Sequence, residues 1–265
     1  MKSQAIDGHP RTKNRPVFPL AHLDGRPRNP RAVSGEAEAE VTFPALGDAG
    51  EVRGIVHTPV AGSPVGGFVI AHGRSNDMRN PLVRRIAQAA TEDGLWSLRF
   101  NFRYVDAKSS ASKDLSREEE DLRGAIRFAR AAVPFAPIFA AGKSMGARVC
   151  ARASSDPDIA GLIALGYPLH PQHRPQVTNP PEWPMLVKPA LFVQGDRDPF
   201  CDLERIRAEL PKLPEPYELV VVPNAGHSFE PYGGKRDTFP EVWGAVSRWI
   251  GSQIARTTGH RPASA

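Results

Sequence analysis

A serine, a carboxylate and a histidine fall at places in this chain where together they could carry out acyl transfer. Gly142-Lys143-Ser144-Met145-Gly146 has a Gly-x-Ser-x-Gly pattern, with an apolar run at 137–141 before it and a helix-compatible run at 147–153 after it. A strand that turns sharply into a helix presents its serine at the tip in strained backbone, and glycines two positions either side avoid a collision. The helix that follows aims free N–H groups at the point where negative charge would develop. Downstream, the run 190–194 leads into Gly195-Asp196-Arg197-Asp198-Pro199, and the run 218–222 leads into Pro223-Asn224-Ala225-Gly226-His227. A serine hydroxyl is too weakly acidic to attack alone. His227 would take its proton and return it to a leaving group, while Asp198 holds the imidazole tautomer and stabilises imidazolium.

Each role has competitors. Asp198 is preferred over Asp196 because the acid lies a few residues beyond the strand, which leaves Asp196 to cap or brace the loop. His72 closes an early strand and is expected to support a loop, His170 and His173 fall in a Pro-rich segment, and His57 falls on a hairpin. Two backbone N–H groups must converge on the developing oxyanion. The Met145 N–H, next after the nucleophile, and the Arg74 N–H, in the loop after the first buried strand, are the candidates. The Arg74 side chain could face the pocket and attract an acidic substrate or stand in solvent; Lys143, beside the serine, could do the same, with an outward direction preferred. His72, Gly73, Tyr167 and His170 are the expected pocket residues, and specificity is expected in the loops 74–80 and 167–186.

These groups need a scaffold of strands and helices. Alternating runs at 38–43 and 52–57 with a turn between them predict an antiparallel hairpin. A continuous apolar run at 67–72 predicts a strand buried on both faces, 159–165 reads as another buried strand, and 96–102, 138–141, 190–194 and 218–222 read as further strands. Helical spacing is found at 81–91, with Gly94 ending it, around 203–210, and near 238–255, where Val242, Val246, Trp249 and Ile250 share a face. Glu118-Glu119-Glu120-Asp121 opens another helix, with its negative charge at the positive end of the dipole. Strands alternating with helices imply a mostly parallel sheet with helices on both faces. With the leading hairpin, the expected class is the α/β-hydrolase fold.

The 265 residues, 40% hydrophobic and 24% charged, suffice for one well-buried α/β domain, expected at 36–255. Residues 1–35 carry seven basic and two acidic residues and are rich in Pro, Arg, Gly and Asn, so they read as a disordered tail, as do residues 256–265. The net charge of +5 therefore belongs to the tail, and a nucleic-acid-binding face on the domain is not expected. No run approaches the roughly 20 apolar residues of a membrane span, and the N-terminus has no apolar core of a secretory signal. Cys150 and Cys201 are isolated, expected to be buried thiols in a reducing cytoplasm. No Cys/His cluster or phosphate loop calls for a metal or organic cofactor. The oligomeric state stays open.

Five segments together resemble the dienelactone-hydrolase-like α/β-hydrolase family typified by testis-expressed protein 30 and the NSL histone-acetyltransferase complex subunit 3. They are Ala71-His72-Gly73 with Asn76-Asp77-Met78, Arg99-Phe100-Asn101-Phe102-Arg103-Tyr104, Gly142-Lys143-Ser144-Met145-Gly146-Ala147-Arg148, Gly166-Tyr167-Pro168-Leu169-His170-Pro171, and Phe192-Val193-Gln194-Gly195-Asp196-Arg197-Asp198-Pro199-Phe200. The resemblance spans about residues 38–255 and implies the same fold and a triad at Ser144, Asp198 and His227. It departs at Arg74-Ser75, where the family tends to have Ala-Gly, and at Arg103, where it often has Pro. Dienelactone hydrolases proper use a cysteine nucleophile, so their activity does not carry over to Ser144. The expected activity is hydrolysis of a small or medium ester or thioester through an acyl-enzyme. A non-catalytic interaction module on the same fold is the second reading, with tail-mediated binding of nucleic acid or anionic lipid as a modifier of either.

Overall fold

A computed structural model describes residues 37–47, 50–177 and 182–258. The expected N-terminal tail and residues 259–265 lie outside the described residues. Among those described, one eight-stranded sheet runs β1 (Ala37–Pro44), β2 (Glu51–Thr58), β3 (Gly66–Ala71), β4 (Leu95–Phe100), β5 (Ile138–Lys143), β6 (Ile159–Leu165), β7 (Ala190–Gly195) and β8 (Tyr217–Val222) along the chain. Its spatial order is β1-β2-β4-β3-β5-β6-β7-β8. β1 and β2 form the expected antiparallel hairpin, β2 pairs antiparallel with β4, and every later neighbour is parallel.

Why the central strands are largely apolar follows from the layers. Alternate side chains of β3 enter opposite cores: Phe68 and Ile70 pack with Val83, Ile86 and Trp249, while Val69 and Ala71 pack on the face that holds Ala147 and Val149. Helices α1 (Pro81–Glu92) and α6 (Phe239–Thr258) cover the first face; α3 (Ser116–Ala132), α4 (Met145–Arg152) and α5 (Leu203–Glu209) cover the second. Each fully buried Ile, Leu or Phe contributes about 2 kcal/mol of transfer free energy. α1 starts at Asn80, whose side chain accepts from the Leu82 and Val83 N–H groups, with Pro81 in the first helical position. It stops before Gly94, at φ +87°.

Two local differences from the sequence reading have physical causes. The fourth strand ends at Phe100, because the chain turns into a short helix, α2 (Arg103–Asp106), that was not expected. The acidic run 118–121 does more than complement a dipole, since α3 already begins at Ser116. Glu118 accepts from both the N–H and the hydroxyl of Ser112, and buried Asp121 accepts from the backbone N–H and the guanidinium of Arg103. Arg103 also reaches Glu120 at 2.9 Å. Arg103 thereby ties α2 to α3.

The connectivity creates the site. From β3 the chain moves one way to β4, then returns past β3 to β5, so the loops leaving β3 and β5 diverge. A crevice opens above that switch point, at the C-terminal ends of the parallel strands.

Candidate active site

β5 runs into α4 through Ser144, which sits at φ 54° and ψ −115°. Both flanking glycines are dictated by that turn. A Cβ on Gly142 would lie 2.2 Å from the Gly146 carbonyl carbon, and one on Gly146 would lie 2.6 Å from the Ala71 carbonyl oxygen. The bend thus brings β3, β5 and α4 into backbone contact, with the serine side chain at the apex.

The loops after β7 and β8 bring Asp198 and His227 to the same apex. His227 Nε2 lies 2.9 Å from Ser144 Oγ, and His227 Nδ1 lies 2.7 Å from Asp198 Oδ2. With a carboxylate at Nδ1, that nitrogen carries the proton and Nε2 is left to accept one. The Asp198 carboxylate has no solvent exposure. It accepts from Gln194 Nε2 at 2.5 Å and from the Phe200 N–H at 2.8 Å, which satisfies a buried charge that would otherwise be costly. Phe200 also lies against the His227 ring at 4.6 Å between centroids. Asp196, the competing acid, faces away and accepts from the Ala225 N–H at 3.2 Å, bracing the β7 and β8 loops together.

A cavity of about 580 Å³ opens over Ser144 and His227. Gly73, Arg74, Met145 and His170 line it. Among the described residues, the backbone N–H groups of Met145 and Arg74 donate to no hydrogen bond. The Arg74 loop is held in place from below. Its carbonyl accepts from Tyr104 Oη at 2.6 Å, and Asn101 Oδ1 accepts from the Met78 N–H at 2.8 Å. His72 and Tyr167 are fully buried and do not line the cavity. His72 donates through Nδ1 to the Gly73 carbonyl at 2.7 Å and accepts from the Phe102 N–H at 3.2 Å, and burial lowers its pKa. It shapes the loop from beneath. Tyr167 packs edge-on against Trp183 and Phe192, and burial raises its phenol well above the usual range.

His170 forms one wall, fixed by its Nδ1 to the Pro171 carbonyl at 2.8 Å and by the Asp202 N–H donating to Nε2 at 2.8 Å. His173 lies in the same loop at φ 56°, and His57 is fully buried in β2, far along the sheet from the apex. The second wall is anchored by Arg148 on α4, which forms a forked pair with Glu182 at 2.9 and 2.6 Å. Lys143 does not point outward. It is 5% exposed and lines the cavity. β5 is enclosed on both faces, so a side chain at its end has only the crevice to enter. Gln194 is a further residue the sequence reading passes over. Its only signal there is a polar side chain at the end of an otherwise apolar strand.

Comparison with known proteins agrees with this architecture. Residues 65–255 match the model of a family described as an alpha/beta hydrolase domain. A lidless α/β serine hydrolase from Xanthomonas campestris shares the fold at 24% identity and TM-score 0.62, over 86% of this chain and 97% of that one. An Anabaena variabilis dienelactone hydrolase does so at 20% identity and TM-score 0.62, over 83% and 98% of the two chains. A Pyrococcus furiosus esterase does so at 18% identity and TM-score 0.64, over 83% and 91%.

Proposed function

This chain belongs to the alpha/beta hydrolase domain family, and on that premise we propose that it is a serine hydrolase cleaving small or medium carboxylic esters through an acyl-enzyme on Ser144. One observation carries the reading: the unbroken run from Ser144 Oγ to His227 Nε2 at 2.9 Å and from His227 Nδ1 to Asp198 at 2.7 Å. An esterase and a serine hydrolase among the structures that share the fold support it at the level of class.

In the proposed reaction His227 Nε2 takes the Ser144 hydroxyl proton as Oγ bonds to the ester carbonyl carbon. The carbonyl electron pair moves onto oxygen, where the Met145 and Arg74 N–H groups receive the negative charge. When the carbonyl re-forms, the bond to the alcohol oxygen breaks and the imidazolium proton goes to that oxygen. Water then adds to the acyl-enzyme and gives a proton to His227. Collapse expels Oγ, which recovers the proton, and a carboxylic acid leaves. Asp198 stays ionised throughout and stabilises imidazolium in both halves. A reducing compartment such as the cytoplasm fits the reading, since Cys150 and Cys201 are both free and buried.

Labelling by a fluorophosphonate, with turnover of a short-chain ester, tests the proposal. Ser144→Ala should abolish labelling and lower turnover by about 10⁴-fold or more. Unchanged turnover in that variant would sink it, and a folded wild type that takes no label would return the non-catalytic reading to first place.

A further inference from the structure

Lys143 is a buried cation that the acyl-transfer scheme leaves unused. Its Cγ lies 4.0 Å from where a Cβ on Gly73 would sit. Its Nζ lies 3.2 Å from where a Cβ on Gly166 would sit, and His227 Nδ1 lies 3.5 Å from the same point. The ammonium and the catalytic imidazole thus flank one glycine.

Among the described residues, Nζ has no hydrogen-bond or ion-pair partner. The carboxylates whose charge reaches it, Asp198 and Glu230, are already engaged. Asp198 is held by His227, Gln194 and Phe200, and Glu230 accepts from the Ser228 N–H at 2.7 Å. Burial outweighs both and brings the ammonium down from 10.5 to about 8, which still leaves it charged at neutral pH. A cation with little solvent around it and no protein partner, facing a cavity, is placed to pair with an anion bound there.

The lining of the cavity has one sign. Arg74, Lys143 and Arg148 line it, and none of the described residues lining it is an Asp or a Glu. Arg148 is neutralised by Glu182. Among the described residues neither Arg74 nor Lys143 has an ion-pair partner, and both line the cavity with Ser144.

We propose that Lys143 and Arg74 form a subsite for a carboxylate carried by the acyl half of the substrate, so that the preferred esters are half-esters of short dicarboxylic acids. This rests on the serine-hydrolase reading. Two cations lining the same cavity would seat the carboxylate, hold the ester carbonyl over Ser144, and disfavour uncharged acyl chains that leave Lys143 unpaired.

The test compares kcat/KM for monomethyl glutarate and methyl pentanoate by methanol release, in wild type, Lys143→Met and Arg74→Gln, each also labelled with a fluorophosphonate. Wild type should prefer the half-ester by about tenfold or more. That ratio should fall at least about tenfold in Lys143→Met and several-fold in Arg74→Gln. A labelled wild type without the preference, or a ratio unmoved in the variants because both esters suffer alike, overturns the subsite and leaves the serine hydrolase standing. A folded wild type that does not label overturns both. Should Lys143→Met not fold, the exposed Arg74→Gln decides alone: an unmoved ratio overturns the proposal, and a lowered one upholds it.

Discussion

Two histidines in this molecule sit in short charged chains, and only one of the two opens onto a cavity and takes a part in the proposed reaction. His227 lies at the open end of the parallel strands with a carboxylate on Nδ1, a hydroxyl on Nε2 and a fifth of its side chain exposed. His57 lies in the antiparallel part of the sheet, fully buried. Its Nε2 accepts from Arg99 Nε at 2.9 Å, and Arg99 in turn pairs with Glu38 and donates to the Met78 carbonyl at 3.0 Å. Burial first, and then the Arg99 and Arg84 charges, bring the His57 pKa down to about 4 against the opposing pull of Glu38. In the proposed reaction the same side chain is a base beside an anion at a cavity, whereas in the core it is a fixed neutral acceptor beside a cation. What differs is the sign of the neighbour and access to substrate.

Substitutions should separate the two chains. The largest effect is expected from His227→Ala, which should lower kcat/KM by about 10⁴-fold and abolish fluorophosphonate labelling, whereas His57→Gln should keep both. A comparable loss in His57→Gln at unchanged stability would break the contrast. Next, Arg99→Met should destabilise the fold by about 3 kcal/mol, since it removes a cation paired inside the core and leaves His57 and the Met78 carbonyl without their donor. Urea denaturation reads this, and ester turnover per folded molecule should hold. A smaller effect is expected from Gln194→Ala, where the loss of one hydrogen bond to the buried carboxylate should cost about tenfold in kcat. An equal fall in KM, leaving kcat/KM unmoved, would show that Gln194 does not position Asp198.

The subtlest effect to read is a pH dependence. A histidine whose folded pKa lies below its unfolded value contributes stability that is complete above about 6.5 and lost as pH falls toward about 4. Stability measured across that window should therefore slope downward with acid, and His57→Gln should flatten the slope. An identical slope in that variant would assign acid sensitivity elsewhere.

Much of this was legible because the chain states it locally. Apolar runs of strand length, punctuated by glycine and by helical spacing, determine a parallel sheet with two covered faces whatever the remaining details. Chain order placed a serine, an acid and a histidine after strands, and strand ends converge in such a sheet. Helix α2 was not legible, because Arg103-Tyr104-Val105-Asp106 has no apolar stripe and is held by Asp121 and the Arg74 loop, distant in sequence, as well as by the nearby Asn101. The acidic run 118–121 was legible in part: Glu118 and Glu119 do lie in the first turn of α3, as the dipole reading expects, but the pairing of Asp121 and Glu120 with Arg103 shows only in space.

By itself, the sequence determined the architecture and the residues that meet at the elbow, since strand burial, glycine sterics and chain order are properties of short segments. Only the tertiary structure decided which charges stay unpaired. Lys143 follows a buried strand and precedes an exposed-looking turn, so its neighbours along the chain left its direction open. Its burial comes from Gly73 and Gly166, brought in by β3 and β6, and its lack of a partner from Asp198 being taken by His227, Gln194 and Phe200. Desolvation and pairing are sums over neighbours in space, and those neighbours come from four separate strands.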